Sequence, residues 1–275
     1  MTISTAPYLP ATALAGHVER SRLISEFPWV RHGITTRVSG LGVADGNVGY
    51  TAPRDESDAW AMRRLWAEAI GIDAAELVRV RQVHGCAVRM ATLADTERGA
   101  HPEARQAPVA DAMITAEPAV ALMTLHADCL ALLLVDPVAR AVGAVHAGWR
   151  STVQNIAQAS VDAMTRAFGT EPGNLVAFVG PSIGVERYDV GEEVIDAWNS
   201  AGGDPAAYRK PGGRWQFDLK AANAGQLSEL GVPGSNIEIS PVCTAVDPDR
   251  WFSHRGQGPL TGRFAAIIAI SGDKA

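Results

Sequence analysis

Two apolar strands joined by a short turn are predicted within residues 120–152, and this hairpin constrains the fold more than any other feature of the chain. Cys129 stands directly before the apolar run Leu130–Val135, and the second strand ends at His146. A buried strand tolerates polar residues only at its ends or where a partner satisfies them. Two soft metal ligands placed at strand ends can therefore converge on one point.

A third ligand is predicted at the end of another strand. Residues 77–83 alternate apolar and polar side chains, which is typical of a strand, and this strand delivers His84 at its end. Zinc is usually held by His nitrogen and Cys sulfur, and a catalytic zinc keeps a fourth position open. We therefore predict a metal site at His84, Cys129 and His146. Their wide separation in sequence is not that of a zinc finger, so an ordinary structural role for each residue remains an alternative.

Composition and charge exclude several classes of partner. The chain has 275 residues, 47% of them hydrophobic, which suffices for one large domain or two small ones. A net charge of -6 does not provide the basic surface that non-specific nucleic-acid binding needs. Three scattered cysteines form no disulfide framework, and we recognise neither a secretory signal nor an apolar run of bilayer length. We expect a cytoplasmic protein that binds neither nucleic acid nor membrane.

Strands and helices do not alternate along the chain. Strands are predicted at 34–37, 77–83, 111–115, 120–125, in the hairpin, and at 175–179, 237–239 and 262–270. Helices are predicted at 55–70, from an N-cap at Ser151 to residue 168, at 191–198 and at 219–230, with a surface loop at 93–108. Consecutive strands favour a mixed sheet, or two packed sheets with helices outside, over a doubly wound parallel sheet. We expect an α/β (α+β) fold with an N-terminal arm at 1–26 and a single catalytic domain at 27–275.

Three ordered motifs resemble the signature of one family. They are RQVHG (81–85), ADC followed by an apolar run and Asp-Pro (127–137), and AVHAGWR (144–150). The family is variously named multicopper polyphenol oxidoreductase, laccase-like or peptidoglycan editing factor, and its members are assigned as purine nucleoside phosphorylases. Further matching segments are ADAMIT (110–115), GPSIG (180–184), YDVG (188–191), CT (243–244), FSHR (252–255) and TGRFAAI near the end. The resemblance runs from about residue 34 to residue 270, nearly the whole chain.

This resemblance implies a layered α-β-β-α fold with zinc at His84, Cys129 and His146. It also implies phosphorolysis of adenosine, inosine and S-methyl-5'-thioadenosine, together with adenosine deamination. A bound divalent metal can activate water for attack on a purine ring carbon, and it can orient phosphate while an arginine neutralises the phosphate charge. The expected partners are therefore a small-molecule nucleoside and phosphate. The oligomeric state is not predicted.

Other candidate site residues follow from the same motifs. Asp128 is a candidate catalytic acid or base, or an acceptor for a ligand imidazole, although a strand neighbour of Cys129 points to the opposite face. Arg37, Asn47 and Arg255 match positions in the family's TTR, LNLG-like and SYRR-like motifs, and they are candidate substrate-binding residues. Surface ion pairs are the alternative for the two arginines.

Departures from the family pattern leave the three ligands intact. His126, Ser151, His254 and Val48 stand where the family usually has Thr, Gly, Tyr and Leu. His126 is three positions before Cys129, so on an alternating strand its side chain faces the opposite side, and we do not expect it to be a metal ligand.

Three alternative functions remain. Two His and one Cys also form the equatorial set of blue-copper sites, so copper and polyphenol oxidation are the alternative cofactor and reaction. The chain has only seven histidines and no His-x-His pair, which argues against a multinuclear copper cluster. A metal-free Cys129 nucleophile activated by His146 is a second alternative. A peptidoglycan-precursor editing or maintenance protein is the third.

Overall fold

Two large β-sheets pack face to face, and the predicted apolar hairpin lies at the centre of one of them. The computed structural model describes residues 9–51, 55–96, 100–102 and 107–272. The six-stranded sheet has the order β12 (Ile237–Ile239), β8 (Val176–Val179), β6 (Leu130–Asp136), β7 (Ala141–Ala147), β4 (Ala112–Thr115) and β3 (Val88–Met90). The four-stranded sheet has the order β1 (Val30–Ile34), β13 (Phe264–Ile270), β5 (Ala121–His126) and β2 (Leu77–Arg79). Both sheets mix parallel and antiparallel pairs.

Alternate residues of strand β6 face two different hydrophobic layers. Leu130, Leu132 and Leu134 belong to the core beneath the helices, whereas Ala131 and Leu133 belong to the core between the two sheets. Because both faces of the strand are buried, the run can be continuously apolar rather than alternating. The hairpin predicted from the sequence is therefore confirmed, with β6 and β7 paired antiparallel along their whole length.

Helices cover the outer face of each sheet. Helix α2 (Glu56–Ile70) packs on the four-stranded sheet through Met62 and Trp66, in the core that also contains Ile267. The six-stranded sheet is covered by α5 (Ile156–Phe168), α6 (Glu192–Ser200) and α7 (Leu219–Glu229). The layer order is α-β-β-α, as expected. The short helices α1 (Ala11–Leu14), α3 (Leu93–Thr96), α4 (Trp149–Val153) and α8 (His254–Gln257) lie on connecting segments. The residues described contain no helix long and apolar enough to cross a bilayer.

A small sheet lies beside the helices and was not predicted from the sequence. It consists of β10 (Tyr208–Arg209), β11 (Trp215–Phe217) and β9 (Asp189–Val190). Its strands are two or three residues long, too short for an alternating pattern to be recognised. Part of the predicted surface loop at 93–108 is helix α3, and residues 97–99 and 103–106 of that loop lie outside the described residues.

Two strand predictions have the wrong boundaries. Strand β1 ends where the predicted strand at 34–37 begins, because Val30 to Ile34 pair with β13. The strand predicted at 77–83 stops after three residues. Beyond it, the Gln82 side chain bonds both backbone groups of Leu125, at 2.8 Å each, and replaces the backbone ladder. His84 then adopts a left-handed conformation with φ of 60°. A loop rather than a strand therefore carries this predicted ligand.

The helix predicted to start at Ser151 is two helices. Gly148 is the N-cap of α4, and Ser151 is buried inside that helix. Asn155 adopts a left-handed conformation with φ of 57° and accepts a hydrogen bond from the Gln158 N–H, so it ends the first helix and caps α5. Asn tolerates this conformation and caps helices well, which explains the break.

The described part of the N-terminal arm packs against the rest of the fold. Leu14 and Ile24 are fully buried. The Glu238 carboxylate on β12 accepts hydrogen bonds from the Ser21 hydroxyl and from the Leu23 N–H, at 2.7 and 2.8 Å. The segment is thus fastened to the edge of the six-stranded sheet. The division at residue 26 stays a prediction.

Acidification is expected to weaken this attachment through His32. The Ser21 N–H donates to His32 Nε2 at 3.0 Å, and burial, reinforced by nearby Arg20, lowers the His32 pKa to about 4. The unfolded chain therefore binds a proton at this histidine more readily than the folded protein does. The free energy of unfolding should fall by about 3 kcal/mol in total as the pH drops from 6.5 towards 4. The melting temperature of His32→Gln should fall less between pH 7 and pH 5 than that of the wild type. His17→Gln, which replaces an exposed histidine, is the control and should follow the wild type.

Candidate metal centre

His84, Cys129 and His146 meet at one end of the two sheets. One ligand atom from each side chain lies within 4.8 Å of the others, and the two imidazole rings are 4.9 Å apart. Cys129 lies where the chain crosses from β5 in one sheet to β6 in the other, and His146 lies on the neighbouring strand β7. Within the described ranges, no other group of three or more His, Cys, Asp and Glu residues has this geometry.

Asp111 holds two of the three ligands in place. Its buried carboxylate accepts hydrogen bonds from the backbone N–H groups of Val83, His84 and Gly85, at 2.7 to 3.2 Å. The same carboxylate contacts His146 Nδ1 at 2.9 Å. Burial would raise the Asp111 pKa, but the bonds from His146 and the backbone outweigh it and lower that pKa. The pairing fixes Nδ1 as the protonated nitrogen and leaves Nε2 of His146 for a metal.

The charges in the cluster fit a divalent cation. Burial opposes ionisation of the Cys129 thiol, but His146 and His84 outweigh it and lower the thiol pKa to about 6. The thiolate is the form of Cys that binds metals. Burial lowers the His146 pKa, whereas the Cys129 charge and Asp111 raise it more strongly. One thiolate and two imidazoles, one of them oriented by a carboxylate, form a donor set suited to zinc with one position open.

Gly148 leaves room for the cluster. A Cβ at this position would lie 2.6 Å from His84 Nδ1 and 3.1 Å from Cys129 Sγ. Both distances are shorter than ordinary carbon contacts, so any side chain would displace the two ligands. This close approach explains why the ligand-bearing strand β7 is followed by Gly in the GWR segment.

Gly148→Ala is therefore expected to weaken metal binding by about tenfold or more, the effect of disturbing groups that orient metal ligands. Competition with a chromogenic chelator would measure the affinity. Gly143→Ala is the matched control. Gly143 lies in strand β7, just before the ligand His146, and a Cβ there would lie 3.5 Å or more from its neighbours, which is an ordinary contact. Equal affinities for the two variants would contradict a metal at this cluster.

An open cleft of about 570 Å³ contains the cluster. Its walls carry five arginines, which are Arg79, Arg81, Arg150, Arg255 and Arg263. None of them forms a salt bridge within the described part of the chain, although six other arginines there do. Their positive charge is therefore left for a ligand.

Aromatic rings support three of these arginines. Arg79 lies 5.9 Å from the Tyr50 ring, and Arg150 lies 4.3 Å from the Trp149 ring. Arg255 lies 5.3 Å from the Tyr188 ring. A cation held against an aromatic face keeps its charge and its N–H donors, unlike one paired with a carboxylate. The cleft thus combines a candidate metal centre with a strongly anion-attracting wall.

The predicted substrate-binding residues are distributed over three environments. Arg255 lines the cleft. Asn47 is buried behind it, where its side-chain oxygen accepts from the N–H groups of Gly49 and Arg263, at 3.0 and 2.8 Å. Arg37 is not brought to the cleft. It forms a salt bridge with Asp45 at 2.8 Å, which is the surface ion pair considered as the alternative, and it lines a different surface depression.

Asp128 lines the cleft, but its carboxylate is already engaged. One oxygen accepts from the Thr244 hydroxyl at 2.7 Å, and the other accepts from the Arg255 N–H at 2.6 Å. It does not bond to a ligand imidazole in this arrangement. His126 is buried with its ring 5.4 Å from the His146 ring, and its nitrogens contact the Thr124 hydroxyl and the Cys129 carbonyl.

Several residues that line the cleft were not predicted as site residues from the sequence. Arg79 and Arg81 were assigned only as the polar side of an alternating strand, although that strand leads to His84. Arg150 and Arg263 lie in the GWR and TGRF motifs, which was the available signal. Tyr188 begins the YDVG segment, which also matches the family, and it directly precedes the small unpredicted sheet.

The fold and this cleft define a mixed α/β protein with one candidate metal centre among its described residues. The chain belongs to the family described as multi-copper polyphenol oxidoreductase laccase, whose model matches residues 31–271, and the resemblance noted in the sequence is thereby confirmed. It is 34% identical to purine nucleoside phosphorylase YlmD of Geobacillus stearothermophilus, over 86% of this chain and 88% of that protein. It is 35% identical to adenosine deaminase RL5 of an unknown prokaryotic organism, over 73% and 78% of the two chains. The crystal structure of YlmD from Geobacillus stearothermophilus has a TM-score of 0.84 at 32% identity, covering 90% of this chain and 93% of that one.

Proposed function

We propose that this protein is a zinc-dependent purine nucleoside phosphorylase that acts on adenosine, inosine and S-methyl-5'-thioadenosine and also deaminates adenosine. The observation that carries the proposal is that one cleft contains the His84–Cys129–His146 cluster and five arginines that form no salt bridge with the described residues. Phosphorolysis needs an anion site beside the centre that activates the substrates, and this cleft offers both. The names of the similar phosphorylases and of the similar deaminase support the same reaction classes. A cytoplasmic location is part of the proposal.

In this proposal His84, Cys129 and His146 hold zinc, which supplies Lewis-acid stabilisation of developing negative charge. The arginines bind phosphate, with Arg150 and Arg255 as candidates because aromatic rings hold their guanidinium groups against the cleft wall. Phosphate would attack the sugar carbon of the glycosidic bond, and that bond would break to give free base and sugar 1-phosphate. In deamination, water would replace the amino group of adenosine, giving inosine and ammonia.

Copper-dependent polyphenol oxidation is the second candidate, favoured by the family description and by the His, Cys, His donor set. A multicopper oxidase needs several copper ions. Of the remaining histidines in the described residues, His32 and His126 are buried and hydrogen-bonded, His17 is exposed, and His101 packs against Trp60. His254 lines the cleft, but it does not belong to the ligand cluster. The geometry therefore supports a mononuclear centre, for which phosphorolysis is the better assignment. Editing of a peptidoglycan precursor remains the non-phosphorolytic alternative in the cell.

The test is a mass balance on metal-loaded protein incubated with adenosine, inosine or S-methyl-5'-thioadenosine, with and without phosphate. We expect free base and an equal amount of sugar 1-phosphate only when phosphate is present. His84→Ala should abolish both products, whereas His17→Ala, at an exposed site, should retain them. Base release without phosphate, or oxygen consumption with a polyphenol and none of the nucleoside products, would contradict the proposal.

A further inference from the structure

Asp128, the residue next to the predicted ligand Cys129, is bonded to three other segments of the chain. It directly precedes Cys129 and is almost fully buried. Its backbone has φ of 87°, a conformation that few residues other than Gly adopt, so the surrounding bonds must hold it there. Its carbonyl accepts from the Ile183 N–H at 2.9 Å, while its carboxylate accepts from Thr244 and Arg255. Three distant segments are thus attached to the residue beside Cys129.

Arg255 is the cleft residue at the far end of this connection. It belongs to the four-residue helix α8, whose first N–H groups lack partners within the helix. Asp128 accepts one of them, and the Ser253 hydroxyl accepts that of Gly256 at 2.9 Å. The Arg255 guanidinium then donates to the Asp189 carbonyl at 2.9 Å and lies over the Tyr188 ring. The backbone and the side-chain end of Arg255 are therefore both held, and Asp128 holds the backbone.

We propose that Asp128 is a positioning residue that fixes the distance between the metal centre and the Arg255 guanidinium, and thereby sets the affinity for phosphate. This inference rests on the proposed phosphorylase function. A carboxylate with both oxygens engaged by fixed donors is a poor proton carrier, because proton transfer would first require one of those bonds to break. Its two bonds instead hold the CT segment and helix α8 against the metal-bearing turn. A guanidinium that binds phosphate beside a metal needs an accurate position, and Asp128 joins the residue next to Cys129 directly to the Arg255 backbone.

Asp128→Asn is the central variant, because it keeps the shape but replaces one acceptor oxygen with an NH2 group. The amide can still pair with the Thr244 hydroxyl, but it cannot accept from both donors in the same way. We expect the KM for phosphate to rise about tenfold, the usual loss for a charge-assisted hydrogen bond. The kcat at saturating phosphate and the rate of adenosine deamination should fall by smaller factors, and bound metal should stay at the wild-type ratio. Asp247→Asn is the matched control, since this exposed Asp caps a turn in the same segment.

A double-mutant cycle shows whether Asp128 acts through Arg255. Arg255→Gln removes the guanidinium, and Asp128 then has no phosphate ligand left to position. We expect Asp128→Asn combined with Arg255→Gln to have the same phosphate KM as Arg255→Gln alone. Thr244→Val, which breaks only the other bond of the carboxylate, should raise the phosphate KM less than Asp128→Asn does.

The results that overturn the proposal are distinct from failure of the proposed function. A wild-type phosphate KM in Asp128→Asn overturns it, as do additive effects in the double variant. Equal losses of phosphorolysis and deamination together with loss of metal would mean that Asp128 only supports the fold, which also overturns it. If the wild type cleaves no nucleoside, the proposed function fails, and calorimetric titration of inorganic phosphate into the metal-loaded protein replaces the kinetic readout. Weaker phosphate binding in Asp128→Asn but not in Asp247→Asn then supports the positioning role, and equal or absent binding overturns it.

Discussion

Asp111→Ala is expected to destabilise the fold and to weaken metal binding at the same time. The Asp111 carboxylate accepts three backbone N–H groups of the His84 loop and contacts His146, and its side chain is fully buried. Truncation leaves those donors without an acceptor, which costs about 3–5 kcal/mol for a buried paired charge. The His84 loop contains a left-handed residue and would lose the acceptor for three successive N–H groups, so metal affinity should fall about 10–100-fold.

Urea denaturation and metal analysis of the same sample would measure both effects. Asp136→Ala is the matched control, because Asp136 is also a buried aspartate on the β6–β7 hairpin. Its carboxylate accepts from Val138 and Ala139 at the turn, at the end of the hairpin opposite the cluster. That variant should lose stability and keep its metal. If Asp111→Ala retains full metal occupancy, then Asp111 does not organise the ligands.

Cys129→Ser is expected to slow nucleoside cleavage strongly while leaving the fold intact. Ser has nearly the same size as Cys, but its hydroxyl is a poor zinc ligand because it does not ionise near neutral pH, whereas the Cys129 thiol has a pKa of about 6. Loss of the metal removes several kcal/mol of charge stabilisation in the transition state, which corresponds to a drop in kcat of about 10²–10³-fold. Phosphate-dependent release of base would measure the change, and circular dichroism would verify the fold.

The other two cysteines provide the controls for this variant. Cys243→Ser keeps an acceptor for the Gly184 N–H, which now bonds the Cys243 sulfur at 3.0 Å, and Cys86 is not part of the cluster. Cys243→Ser and Cys86→Ser should both keep the metal and the activity. The alternative in which Cys129 is a metal-free nucleophile makes the opposite prediction for wild-type protein. It requires full activity after exhaustive chelation and rapid inactivation by a thiol-alkylating reagent.

The sequence predicted those parts of the fold that depend on local patterns. The hairpin β6–β7 was recognisable because both of its faces are buried and the apolar runs are uninterrupted. Helix α2 was recognisable from its apolar spacing and from Gly71, which has φ of 86° at the helix end. Cys129 and His146 could be placed together because they flank neighbouring strands. Their roles as ligands stay a prediction that the geometry supports.

Long-range contacts explain what the sequence did not predict. Strand β2 ends early because the Gln82 side chain takes the place of the backbone pairing with Leu125, a residue 43 positions away. Asp111 was assigned to the start of a strand, and its role with the His84 loop depends on a contact across 27 residues. Arg37 was a candidate from its motif alone, but it forms a salt bridge with Asp45 and lines a surface depression outside the cleft. The cleft arginines come from four separate segments, so their convergence is a property of the two-sheet packing.

The central claim is that His84, Cys129 and His146 share one zinc ion with an open fourth position. Anomalous diffraction from crystals of the metal-loaded protein, recorded on both sides of the zinc and copper absorption edges, tests it most directly. We expect one peak per chain, present above the zinc edge and absent at the copper edge, at about 2.0–2.3 Å from one nitrogen of each His and from the Cys129 sulfur. A peak elsewhere, several copper peaks, or no peak in protein that cleaves nucleosides would contradict the account.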